Sequence, residues 1–277
     1  TAEIGYKRAA GGEPKQQEAY TKVIEAFNRI LTNHAEGGAT YVPISYYRLG
    51  LLYADMGNLE MAEQQYRKLE QLDPANRYLA PLTSVVFKSY SDRIDGLTAE
   101  LDGLKGDDAT GDAAGKINSE LGDTRRKLIT LGKDYAKASS APNYSILYTT
   151  LGAAQDLADW AGVQEIAYKM IELFGENPDY TSKVDKYVRP KIGIALMEED
   201  KFQQAYDMLS AAMEARPKNY ELKRLVARCL GGWLEVDEYG QPVVKLGLER
   251  FPEAYTLMNE YRNFVINPDK ERYTFEW

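Results

Sequence analysis

The stretch PISYYRLGLLYADMGNLEMAEQQYRKLEQLDPAN, residues 43–76, predicts two helices joined by a tight turn. Gly50 and Ala62 are small where the two predicted helices cross, so the backbones can approach closely. Gly57 supplies the permissive backbone that ends the first helix. Pro74 cannot continue the second helix, because it lacks the backbone N–H and its ring clashes with the preceding turn. The stretch therefore predicts one complete helical hairpin.

The spacing of these residues resembles the tetratricopeptide repeat, a helical hairpin of about 34 residues that stacks into solenoids. The resemblance is carried by Leu49–Gly50, Tyr53, Ala62, Tyr66 and Pro74. Residues 14–32 resemble the second helix of a degenerate first unit. The resemblance implies an all-α solenoid of helical hairpins that binds proteins or peptides along a concave face.

Two later segments resemble the same unit. In residues 143–176, Leu151–Gly152 is predicted as the small pair and Ala161–Gly162 as the turn, which lengthens the turn relative to the pattern. Residues 186–219 match more closely, with Asp200 in place of the usual turn glycine.

Beyond these units the pattern weakens. A loop through Gly240 is predicted to precede a helix from Pro242 to Arg250. A last helix from Pro252 to about Val265 is predicted to cap the solenoid.

Between the clear units, two apolar seams predict a long antiparallel coiled-coil hairpin inserted into the array. The first arm covers 77–104 and the second covers 117–138, with a polar tip at 105–115. In both arms apolar residues recur at alternating intervals of three and four, which is the coiled-coil pattern. Each glycine in the arms is expected to cost up to about 1 kcal/mol relative to alanine; these are Gly96, Gly103, Gly122 and Gly132. The alternative is two shorter, irregular repeats.

These segments predict four parts of the chain. Residues 1–76 hold the N-terminal helices and the clear repeat, and residues 77–142 hold the hairpin and its connector. Residues 143–265 hold the later repeats and the capping helix, and residues 266–277 form the tail.

Composition argues against several classes of function. The net charge of -8 and the pI of about 5 are unlike the basic balance of nucleic-acid-binding proteins. No stretch reaches the length and hydrophobicity of a transmembrane helix. His34 and Cys229 are the only histidine and cysteine, so zinc sites and Cys–His or Ser–His catalytic sites cannot be assembled. We therefore predict a non-enzymatic protein without cofactor or metal. The 42 acidic residues keep paired-carboxylate catalysis open, although no pair stands out.

The resemblance also implies which residues line the binding groove, namely outward positions on the first helix of each unit. In the repeat-like segment at 143–176, these positions are Ile146, Thr149, Thr150, Ala153 and Asp156. Across the chain, the predicted binding residues are Tyr47, Arg48, Leu51, Asp55, Thr149, Lys191, Ile194, Arg224 and Arg228. Some members of the family grip a C-terminal carboxylate with a Lys and an Asn one turn apart, but those places hold Tyr47 and Leu51 here, so that clamp is absent in this repeat. The groove is expected to hold an extended or helical segment by apolar contacts, with Lys191, Arg224 and Arg228 available for acidic groups.

The favoured function is a scaffold for protein–protein interaction through the groove, the hairpin or both. One alternative is a subunit or segment of a larger cell-envelope assembly, since the chain begins at Thr1 without a targeting pattern and ends in an aromatic tail. Another is a carbohydrate-binding or helical-repeat enzyme domain, favoured by the 21 tyrosines. The sequence predicts a soluble chain and leaves a cytoplasmic and a periplasmic location equally open.

Overall fold

The computed structural model describes residues 13–33, 41–104, 111–139, 142–231, 235–236, 242–243 and 251–266. Several expectations from the sequence fall outside these ranges. They concern residues 1–12, His34, most of the predicted tip and the tail beyond 266. The chain divides into two compact units, Thr1–Leu128 and Ile129–Trp277. The four-part division drawn from the sequence has different boundaries and stays a prediction.

The first unit is built from helices in succession. They are α1 (Glu13–Asn33), α2 (Tyr41–Asp55), α3 (Leu59–Leu72), α4 (Leu79–Gly103) and the first part of α5 (Asp112–Ala138). The predicted hairpin at 43–76 is α2 and α3, which pack together through buried Leu49, Ala62 and Tyr66. Asn58 caps α3 by accepting a hydrogen bond from the Met61 N–H at 3.2 Å.

Gly50 is needed for packing, but against a different helix from the one expected. A Cβ atom at Gly50 would lie 2.5 Å from Cδ1 of Leu82 on α4. The glycine therefore admits the next helix of the array rather than α3. Leu82 and Val86 are buried in the first half of α4, which packs on both α2 and α3. This half of α4 continues the helical stack.

The two long helices correspond to the arms predicted from the sequence. On α5, the buried side chains include Leu121, Thr124, Leu128, Leu131 and Tyr135, which keep the predicted spacing of three and four. The Arg93 guanidinium of α4 lies 2.5 Å from the Glu120 carboxylate of α5. This ion pair joins the two helices, and their packing as a coiled coil stays a prediction.

The second unit continues the all-α architecture with shorter helices. They are α6 (Tyr144–Asp156), α7 (Trp160–Phe174), α8 (Thr181–Lys183), α9 (Arg189–Glu198), α10 (Phe202–Ala215), α11 (Tyr220–Gly231) and α12 (Phe251–Ile266). A π-helical turn, Val184–Val188, joins α8 to α9, and the Arg189 N–H donates to the Val184 carbonyl across it. Two short strands, β1 (Glu235–Val236) and β2 (Pro242–Val243), pair antiparallel. Pro242 and Val243 thus form a strand where a helix was predicted, and the rest of that predicted helix, residues 244–250, lies outside the described residues.

The turn of the repeat at 143–176 lies earlier than predicted. Ala158 has a φ of 53°, and Asp200 of the next repeat has a φ of 59°; both adopt the left-handed conformation that Gly57 adopts at 72°. Asp159 then caps α7, because its carboxylate accepts a hydrogen bond from the Gly162 N–H at 2.9 Å. Gly162 is therefore inside α7, and the predicted turn at Ala161–Gly162 was wrong.

The close approach in this repeat also involves a different glycine. A Cβ atom at Gly132 on α5 would lie 2.8 Å from Cβ of Thr150 on α6, and closer still to the rest of that side chain. A Cβ atom at Gly152 would meet nothing within 4 Å. The predicted small pair Leu151–Gly152 is thus out of register, and Gly132 serves packing rather than only weakening an arm.

Candidate functional site

The second unit contains a recess of about 460 Å³, including the space that opens to solvent. Its walls come from α6, from the π-turn with α9, and from the segments at the end of α10 and the start of α11. The residues that define it include Tyr148, Gln155, Tyr187, Lys191, Ile194 and Arg216. Lys191 and Ile194 were predicted as binding residues, and the structure brings them together here.

Lys191 carries a positive charge into a half-buried position. Its Nζ donates a hydrogen bond to the Gln155 side-chain oxygen and lies 5.8 Å from the centre of the Tyr148 ring. Burial lowers the pKa of Lys191, and the nearby Asp156 carboxylate opposes that shift. In the part of the chain that the structure describes, no carboxylate forms an ion pair with this ammonium. Lys191 is therefore held by a neutral amide and an aromatic face.

Arg216 places a second cation in the recess, at the end of α10. Its guanidinium lies 5.6 Å from the centre of the Tyr187 ring and donates a hydrogen bond to the Lys186 carbonyl at 3.1 Å. Tyr187 in turn meets Tyr148 edge to face, with ring centres 6.3 Å apart. A guanidinium that stacks on a ring keeps the donors at its edge for a planar acceptor. The recess thus combines two tyrosine rings with two cations.

An aromatic cluster adjoins this recess through Tyr148. Tyr144 stacks on Tyr148 at 6.0 Å and on Tyr180 at 5.1 Å, and it meets Phe174 edge to face. Burial raises the pKa of Tyr144 to about 12, with smaller contributions from neighbouring tyrosines. Among the described residues this buried hydroxyl has no hydrogen-bond partner. Lys183 lies 5.0 Å from the Tyr180 ring centre. The cluster packs behind the wall of the recess that α6 provides.

The shift in register explains which residues of α6 were missed. Ile146, Thr150 and Ala153 are buried, and the Thr150 hydroxyl donates to the Ile146 carbonyl at 2.9 Å. A ligand cannot reach these three side chains from the groove. Thr149 is half-buried and lies outside the residues that line the recess. Tyr148 lines the recess in their place.

The two predicted arginines of α11 are engaged within the chain. Arg224 pairs with Glu221 on the same helix and lies over the Tyr261 ring at 5.9 Å. The Glu221 carboxylate raises the pKa of Arg224. Arg228 pairs with Glu198 of α9 at 3.1 Å. Both cations are neutralised by carboxylates of their own chain, which makes them weaker candidates for acidic ligands than Lys191.

In the first unit, the predicted residues lie in two different environments. Tyr47 stacks on Tyr78, with ring centres 5.1 Å apart and planes inclined by 20°, and Arg48 lies 5.6 Å from the Tyr47 ring. Asp55 accepts a hydrogen bond from the buried Tyr20 hydroxyl of α1 and so helps to join α1 to α2. Leu51 is half-buried.

Other chemistry has little support in the described residues. They contain no group of three or more His, Cys, Asp or Glu side chains arranged to hold a metal ion. None of the described helices combines the length and the apolar character needed to cross a bilayer. Cys229 is buried, with its Sγ 3.7 Å from the Met197 Sδ, and burial raises its pKa to about 12. This thiol is unreactive in the folded protein.

Comparison with known families identifies the segment that organises the first unit. Residues 44–76, which cover most of α2 and all of α3, match the family model of the tetratricopeptide repeat. No curated protein matches the chain. The resemblance inferred from Leu49–Gly50, Ala62 and Pro74 is therefore confirmed for this hairpin, and the chain contains a tetratricopeptide repeat.

Proposed function

We propose that the protein is a non-enzymatic scaffold that binds an acidic segment of a partner protein in the recess of the second unit. A tetratricopeptide repeat is in general a scaffold for protein interaction. The recess supplies the two things that an extended acidic segment needs. Tyr148 and Tyr187 provide apolar faces for the chain of the ligand, and Lys191 and Arg216 provide charge for a carboxylate.

The state of Lys191 is the observation that carries this proposal. A half-buried ammonium has lost part of its hydration, and the neutral Gln155 amide replaces only some of it. A ligand carboxylate would restore the lost interaction with a charge-assisted hydrogen bond, which is stronger than one between neutral groups. The free protein thus holds a charge whose natural counterpart is an anion.

The ligand is a short extended segment rather than a packed domain. The recess is small, and the first helices of successive repeats form its walls. Extended peptides in such grooves are held by apolar contacts and by a small number of placed polar groups. We therefore expect one acidic side chain between apolar neighbours to be the central element of the recognised segment.

The experiment is a calorimetric titration with a matched pair of peptides. One is a short peptide in which glutamates alternate with leucine and serine, and the other carries glutamine at every glutamate position. The glutamate peptide is expected to bind more tightly, and Lys191→Met to weaken its binding at least about tenfold, which corresponds to about 1.4 kcal/mol. Equal affinity for the two peptides would overturn the proposal.

Lys169→Met is the matched control for this titration. Lys169 belongs to the same unit and pairs with Glu172 on the surface of α7, at 2.8 Å. Its replacement removes the same charge from the same unit but leaves the recess intact. If Lys169→Met and Lys191→Met weaken binding equally, the effect is general electrostatic attraction and the recess is not the site.

A further inference from the structure

We propose that the first unit carries a second site for acidic segments, built on the stacked rings of Tyr47 and Tyr78. This inference rests on the proposed function, because it assigns the same class of ligand to another surface. It predicts that the protein binds two acidic segments at once, one in each unit.

Arginine side chains lie over both rings of this stack. The Arg48 guanidinium lies 5.6 Å from the centre of the Tyr47 ring, and the Arg77 guanidinium lies 4.8 Å from the centre of the Tyr78 ring. The rings themselves are 5.1 Å apart and nearly parallel. Two cations and two aromatic faces are thus concentrated where α2 meets the start of α4.

Arg77 is the residue that gives this surface its affinity for anions. Its side chain is exposed, and one of its nitrogens donates a hydrogen bond to the Tyr78 hydroxyl at 2.7 Å. A guanidinium has five N–H donors, and stacking on a ring uses its face rather than its edge. Across the described ranges no carboxylate pairs with Arg77. The remaining donors form the fork that binds a carboxylate through two parallel hydrogen bonds.

A related arrangement occurs in the second unit, where the two rings meet edge to face instead of stacking. Tyr47 precedes the left-handed turn residue Gly57 by ten positions, and Tyr148 precedes the left-handed Ala158 by ten positions. Each of these tyrosines contacts a second tyrosine, Tyr78 or Tyr187, and a cation lies over each pair.

Charge complementarity selects an acidic partner for this surface. The chain carries a net charge of -8, so an acidic segment is repelled by most of the protein. Attraction is confined to places where cations lack carboxylate partners. Arg77 meets that condition in the first unit, as Lys191 does in the second. The tyrosine pair beside each cation adds an apolar face for the neighbouring residues of the ligand.

The test is the stoichiometry of binding of the glutamate peptide to the full chain. We expect two peptides per chain for the wild type and one each for Arg77→Gln and Lys191→Met. The double variant is expected to bind none. The affinity of the site that carries each substitution should fall at least about tenfold, because charge-assisted hydrogen bonds to that site are lost.

Arg126→Gln serves as the matched control in the first unit. Arg126 is an exposed arginine that pairs with Asp123 at 2.6 Å. It should leave both sites intact, and circular dichroism should show unchanged helicity for every variant. This inference would be overturned if the wild type bound one peptide per chain and that binding were lost in Lys191→Met but kept in Arg77→Gln. The proposed function would then still stand. A wild type that does not distinguish the glutamate from the glutamine peptide would overturn both.

Discussion

Adding one methyl group at either of two glycines should change stability in opposite directions. Gly132→Ala on α5 introduces a Cβ atom 2.8 Å from Cβ of Thr150, and nearer to its hydroxyl and methyl groups. Thr150 cannot swing away, because it is buried and its hydroxyl is bonded to the Ile146 carbonyl. Gly152→Ala introduces the same atom on α6 where nothing lies within 4 Å.

The expected magnitudes follow from two opposing contributions. Replacing glycine by alanine inside a helix stabilises it by about 1 kcal/mol. Forcing an extra carbon into a packed contact costs about 1–3 kcal/mol, and the overlap with three atoms of a fixed side chain puts Gly132→Ala at the upper end. The net result is a loss of about 2 kcal/mol for Gly132→Ala and a gain of about 1 kcal/mol for Gly152→Ala.

Urea unfolding followed by circular dichroism measures both changes. The Thr150→Ala background provides the decisive control, because it removes the two nearest atoms and leaves only Cβ in place. Gly132→Ala should cost less in that background than in the wild type, which is the coupling expected of residues in contact. If Gly132→Ala stabilises the protein as Gly152→Ala does, α5 and α6 do not meet at these residues and the reasoning fails.

Three further outcomes follow from the ionisable groups. We expect the affinity of the recess for the glutamate peptide, measured in Arg77→Gln, to fall as the pH rises, at a pH below the ordinary pKa of lysine. The reason is that the pKa of Lys191 is lowered and binding needs its charged form. Cys229 should react with a thiol reagent at mildly alkaline pH only after unfolding, since its pKa is about 12; reaction at equal rates in folded and unfolded protein would contradict its burial. Tyr90→Phe should lower the free energy of unfolding by about 1.5–3 kcal/mol, because the buried hydroxyl donates to the Glu63 carboxylate at 2.8 Å; an unchanged urea midpoint would refute this.

The first hairpin was predictable because its residues have few alternative roles. Gly57 is the natural residue for a left-handed turn, and Pro74 ends a helix by its covalent structure. Ala62 is fully buried, as its small size predicts. Gly50 shows the limit of such reasoning. Its sequence context indicates a close contact, but the side chain that fills the contact, Leu82, comes from a helix beyond the repeat.

The repeat at 143–176 was placed out of register because an apolar–glycine pair inside a helix is a weak signal. Leu151–Gly152 satisfied the pattern, whereas the turn is made by Ala158, a residue with no preference for the left-handed conformation. Asp159 was the signal that could have corrected the register, since aspartate is a preferred N-cap residue and the helix begins directly after it. The error moved the predicted groove away from Tyr148.

Part of the candidate site was predictable from the register of the repeat that contains it. Lys191 and Ile194 follow from the outward positions of one helix, which a correctly placed repeat provides. The pairing of Arg224 with Glu221 was readable, because residues three apart on a helix face each other. The pairing of Arg228 with Glu198 joins two helices and depends on their packing, so local sequence could not reveal it.

The π-helical turn at Val184–Val188 has a consequence for the length of the repeat. Ala158 and Asp200 occupy the same place in successive repeats but are 42 positions apart, against a family period of 34. The additional residues are shared between the turns at 175–180 and the longer first helix that follows. A π-turn accommodates one additional residue within a helix, so the first helix of this repeat holds one residue more ahead of Lys191 than a regular α-helix would.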